Sequence, residues 1–79
     1  MKYVMGRGID FVVFPNYIKH DTFKNMNPVS AGFCKVTTEM TQWGEETPRF
    51  DCYGESSSLK LKSRGEKDSI IITSGMRTV

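Results

Sequence analysis

Between Ser57 and Arg64 the chain reads Ser-Ser-Leu-Lys-Leu-Lys-Ser-Arg, so Leu59 and Leu61 alternate with Lys60, Lys62 and Arg64. Side chains along a β-strand point alternately to opposite faces. The spacing predicts a strand over 59–63 with an apolar inner face and a row of cations outside. This row is the one concentrated charge feature in a chain whose formal net charge is only +2. Binding to DNA by charge alone is therefore excluded, and contact with a polyanion depends on the cations sharing one face.

Seventy-nine residues make one small domain, over 1–79. Such a chain buries only about 60% of its unfolded surface, which leaves little scaffold for a deep catalytic cleft. Five Phe, three Tyr and one Trp supply most of the volume for a core. The longest apolar run, Phe11-Val12-Val13-Phe14, is far too short to span a bilayer. The first residues carry no apolar run of signal-peptide length. The expectation is a cytoplasmic protein with no membrane contact.

Punctuation divides the chain into short segments. Residues 2–5 and 9–14 flank Gly6-Arg7-Gly8 and read as a hairpin. The second segment is apolar on both faces, which predicts a central strand. Residues 17–26 fit a short helix with Ile18, Phe23 and Met26 near one face, or an irregular loop. The helix ends at Asn27-Pro28, because the residue before proline avoids helical angles. Residues 29–38, 49–54, 59–63 and 69–73 read as strands, the last on the β-branched run Ile70-Ile71-Ile72. Residues 38–48 read as a polar loop, 64–68 as a charged turn and 74–79 as a frayed tail.

If 29–38 and 49–54 are antiparallel neighbours, pairing Val36 with Phe50 sets Cys34 opposite Cys52 and Gly32 opposite Gly54, all on one face. Continuing the meander places Leu59 and Leu61 on that same face and brings Asp51 beside Lys60 or Lys62. The expected fold is α+β, mostly β. It is an antiparallel sheet of five or six short strands, or a partly open barrel, with one short helix after the second strand.

No catalytic constellation emerges. Cys34 and Cys52 lack a CxxC spacing, and one His cannot complete a zinc site. Both read as small buried core residues, with a disulfide conceivable under oxidation. His20-Asp21 reads as a surface pair near a helix start, not as part of a nucleophilic triad. Gly6-Arg7-Gly8 lacks the spacing of a phosphate-binding loop. No cofactor and no metal are expected.

The binding candidates are Lys60, Lys62 and Arg64 on the predicted strand, Tyr53 facing outward beside them, and Trp43 in the polar loop. Lysines on an outer strand face also serve as plain solvated edge protection. Trp43 is either a contact residue or a cap folded back over the core. The functional expectation is a small non-enzymatic binding module with a protein partner or a second copy of itself. Nucleic acid, bound through the basic face and Tyr53, is the alternative.

Overall fold

The structure, a computed structural model, describes residues 1–77. Strands β1 (Lys2–Met5) and β2 (Phe11–Phe14) form the expected hairpin, with Met5 opposite Phe11 and Gly6 N–H donating to Asp10 O at 2.8 Å. A 3-10 helix follows over His20–Met26, then the long strands β3 (Ser30–Met40) and β4 (Glu46–Tyr53). A two-residue pair, β5 (Glu55–Ser56) and β6 (Leu61–Lys62), leads into helix α1 (Glu66–Arg77). The main sheet is antiparallel in the order β2-β1-β3-β4, and β5-β6 is a separate two-stranded sheet. The fold is α+β and mostly strand, and it is not a closed barrel.

Both faces of the main sheet carry apolar packing. On one face Tyr3, Met5, Cys34, Phe50 and Cys52 meet Ile72 of α1, with Phe11, Val13 and Ile71 at the margin. On the other, Val4, Phe14 and Ala31 meet Ile18, Phe23 and Met26 and the two leucines, Leu59 and Leu61. This explains the double-sided apolar pattern of β2, which is an edge strand and not a central one. Phe11 and Val13 point to the α1 side, while Val12 and Phe14 point to the other.

The predicted β3–β4 register holds: Val36 lies opposite Phe50 and Cys34 opposite Cys52. Gly32 sits where β3 passes under the end of β4. A Cβ at this position would lie 2.5 Å from Tyr53 O and 3.2 Å from Ser63 Cβ, so only glycine admits the approach.

Among the described residues the one α-helix is α1, after the last strand and not after the second, and residues 17–26 hold a 3-10 helix over His20–Met26, closed by Asn27 at φ 54°. Residues 69–73 lie inside α1, where Asp68 and Ile72, four apart, are both fully buried against the sheet. The helix places Glu66 and Asp68 in its first turn, where carboxylates favour the positive end of the helix dipole. Residues 74–77, expected as tail, continue that helix, and 78–79 lie outside the described residues.

The Leu/Lys alternation is not the strand expected over 59–63. Residues 57–60 form a turn with Lys60 at φ 55°, and only Leu61 and Lys62 are strand. Ser56 Oγ accepts Leu59 N–H at 3.2 Å inside that turn. Leu59 and Leu61 are part of a core, but of the one opposite Cys52. The chain crosses the sheet end at Gly54, so the meander does not continue in plane. Asp51 therefore pairs with Arg49 at 3.1 Å and not with Lys60 or Lys62. His20 is buried and not at the surface as expected: its Nε2–H donates to Gly32 O at 2.7 Å, and its ring lies edge-on to Phe14 and Phe33.

Candidate interaction surface

β3 and β4 are longer than the two cores they serve. From residue 35 to residue 49 no side chain is buried; Glu39 and Arg49 still flank α1 beside Ile70, Thr73 and Ser74, and past them the end of this hairpin extends as an arm. The molecule is correspondingly elongated, 41 × 23 × 19 Å. Strand alternation puts Val36 and Met40 on the face of Cys34, which α1 covers nearer the body. Beyond the helix that cover ends, and Val36 is 46% and Met40 66% exposed.

The expected polar loop over 38–48 is instead a tight turn at the tip of this arm. Thr41 N–H donates to Glu45 O at 2.8 Å, and Gly44 N–H to Thr41 O at 3.0 Å. The Thr41 hydroxyl oxygen accepts Trp43 N–H at 3.3 Å and Glu45 N–H at 3.1 Å. Gly44 at φ 80° supplies the left-handed residue that three-residue hairpin loops require. Trp43 stands on this ordered turn with 80% of its surface exposed. It does not fold back over the core. The arm is braced by Arg49, whose guanidinium reaches Glu39 at 2.7 Å and Asp51 at 3.1 Å. Hydrogen bonds to Glu39 and Asp51 hold Arg49 above its usual pKa.

The structure does not gather the predicted basic row. Lys60 lies in the turn and Lys62 opposite Glu55 on β6, and both are exposed. Arg64, its side chain 30% exposed, is diverted from that row, because its Nε donates to the fully buried Asp68 carboxylate at 2.7 Å. Asp68 also accepts Arg64 N–H at 3.0 Å and the Tyr3 hydroxyl at 2.6 Å. Burial alone would raise the Asp68 pKa, but hydrogen bonds from Tyr3 and Arg64 hold it below the ordinary value. Burial and the Asp68 hydrogen bond push Tyr3 well above the usual phenol value.

Tyr53, at the body end of β4, is 55% exposed and stacks on Phe33 at 6.0 Å. Phe33 continues through His20 and Phe14 to Phe23, a ladder of rings with centroids 4.6–6.0 Å apart. Sequence reasoning missed this ladder, because its rungs come from four separate elements. Tyr53 and Trp43 are at opposite ends of β4, roughly 30 Å apart at the rise of an extended chain. They belong to two surfaces.

The two edges of the sheet differ. On β4, Phe50 N–H donates to Thr73 Oγ1 at 3.0 Å and Cys52 N–H to Ser69 Oγ at 2.7 Å, so α1 closes that edge. On β2 the backbones of Phe11 and Val13 face outward, and among the described residues nothing pairs with them. An open apolar groove of about 310 Å³ lies beside that edge, between Ile9 and Phe11 and the Ile70, Ile71 and Gly75 face of α1.

Among the described residues, no three His, Cys, Asp or Glu side chains gather to hold a metal ion, and no helix is long and apolar enough to cross a membrane. No family model, no curated protein and no solved structure matches the chain.

Proposed function

We propose that this chain is a non-enzymatic protein-binding module whose contact element is the β3–β4 arm with Trp43 at its tip. The observation that carries the reading is the exposure of Trp43, 80%, on a turn fixed by four hydrogen bonds. Tryptophan is enriched among residues that dominate binding energy, and a tip already ordered loses little entropy on docking. Val36 and Met40 extend the apolar surface down one face of the arm. A second copy of the chain is one form of the partner, and the open β2 edge offers it a further contact. Two free cysteines suit a cytoplasmic location, which is part of this reading.

Affinity capture from the native host with wild-type protein and with Trp43→Ala tests it, together with sedimentation of each across concentration. The expected result is a complex or self-association that is lost in Trp43→Ala while its NMR spectrum stays folded. A variant that binds as well as wild type overturns the reading.

Nucleic acid is the second reading, favoured by the half-exposed Tyr53 stacked on Phe33 and by the exposed side chains of Lys60 and Lys62. Bases stack on such rings, and phosphates release counterions from such cations. An NMR titration with a single-stranded oligonucleotide tests it. Shifts at Tyr53, Lys60 and Lys62 that vanish at high salt support it, and none at low salt ends it.

A further inference from the structure

Cys34 lies directly opposite Cys52, and both point into the core under α1. The backbone hydrogen bonds reveal what kind of cross-strand pair this is. Cys34 N–H donates to Met1 O at 2.8 Å, on the side of β3 away from β4. Cys52 N–H turns away from β3 and donates to Ser69 Oγ at 2.7 Å. The two cysteines are therefore a non-hydrogen-bonded pair, the position where facing residues come closest, with Cα atoms about 4.5 Å apart. That separation lies within the range a disulfide spans without backbone movement, about 4.4–6.8 Å. Both thiols are free.

We infer that Cys34 and Cys52 are a reversible redox pair, closing to a cross-strand disulfide in the folded chain by exchange with a small disulfide such as oxidised glutathione. Cys52 is the first to react, being 8% exposed against 2% for Cys34. Its thiolate attacks one sulfur of the small disulfide, a mixed disulfide forms and one small thiolate leaves. The Cys34 thiolate then attacks Cys52 Sγ, and the second small thiolate leaves. Two protein thiols are oxidised, one small disulfide is reduced to two thiols, and these take up the two protons that the cysteines release.

The rate is controlled by α1. Ile72 lies in the same buried cluster as the two thiols, and Ser69 and Thr73 fasten the helix to β4. Burial raises both thiols above their usual pKa, Cys52 to about 11, so the reactive thiolate is scarce until the helix lifts. Removing one of the fastening hydrogen bonds in Ser69→Ala raises the opened population, and with it the oxidation rate, by about fivefold, the weight of one ordinary net hydrogen bond.

The test equilibrates the folded full chain with glutathione at graded ratios of disulfide to thiol, followed by alkylation and mass spectrometry. The expected product is a monomer with one internal disulfide, restored to two thiols by dithiothreitol. Cys34→Ser should stop at a glutathione adduct on Cys52. Ser69→Ala should oxidise faster to the same product, and sub-denaturing urea on wild type replaces it if that variant fails to fold. Wild-type protein that accumulates glutathione adducts or linked dimers overturns the inference. So do thiols that stay reduced at equilibrium after the helix has been loosened. None of these outcomes bears on Trp43 or the arm.

Discussion

The Tyr3 hydroxyl donates a 2.6 Å hydrogen bond to Asp68 Oδ2 and so ties the first strand to the first turn of the last helix, 65 positions away. The phenol has one hydrogen, so Ser63 Oγ, also 2.6 Å away, donates to the phenolic oxygen and in turn accepts Gly65 N–H at 3.0 Å. Asp68 is fully buried and every contact it makes here is charge-assisted. Tyr3→Phe removes one of these donors at nearly constant volume and is expected to cost about 1–3 kcal/mol in urea unfolding. Asp68→Ala strands the Arg64 guanidinium and should cost about 3 kcal/mol or more. Equal stability of Tyr3→Phe and wild type would mean that the bond is replaced by solvent.

The same pair sets a pH window. Asp68 has a folded pKa below its ordinary 3.8. Its contribution to stability is present above that value and is lost as pH falls through the folded pKa. Tyr3 has a folded pKa above its ordinary 10.0, so its contribution is present below pH 10.0 and declines as pH rises beyond it. Unfolding free energy measured across pH should fall at both ends. In Asp68→Asn the acid limb should flatten.

Trp43→Ala should leave stability within about 0.5 kcal/mol of wild type, because the side chain touches no core. Trp43 emission in the free protein should resemble that of indole in water and be quenched fully by iodide. A blue-shifted, protected emission in dilute monomer would place the ring against the body.

Gly32→Ala should destabilise the fold by about 1–3 kcal/mol, the usual cost of overpacking. The new methyl would lie 2.5 Å from the Tyr53 carbonyl oxygen, which is backbone and cannot rotate away. Thermal unfolding measures this directly, and an unchanged midpoint would mean that β3 and β4 separate there at little cost.

Much of the sheet was legible because its signals are local. Gly6-Arg7-Gly8 between two apolar runs signals a hairpin, and once Val36 is set against Phe50 the two-residue period puts Cys34 against Cys52. The candidate surface was legible only in part. Trp43 stood out because no core periodicity required it, but Arg64 could not be told from its neighbours Lys60 and Lys62. Its diversion to Asp68 depends on a helix that the sequence signals hid.

The residues alone determined strand class, hairpin position and the buried faces of β3 and β4, since these follow from a two-residue period and from glycine and proline chemistry. Tertiary structure decided the rest. Ile70-Ile71-Ile72 has strand propensity, yet it is helical because Asp68 and Ile72, one turn apart, both find partners in the sheet. Leu59 and Leu61 were certain to be buried, but which face received them was set by the turn across the sheet end, a long-range choice that no local pattern encodes. The exposure of the arm is of the same kind. It exists because α1 runs out before β3 and β4 do, and the relative lengths of packed elements become meaningful only once they are packed.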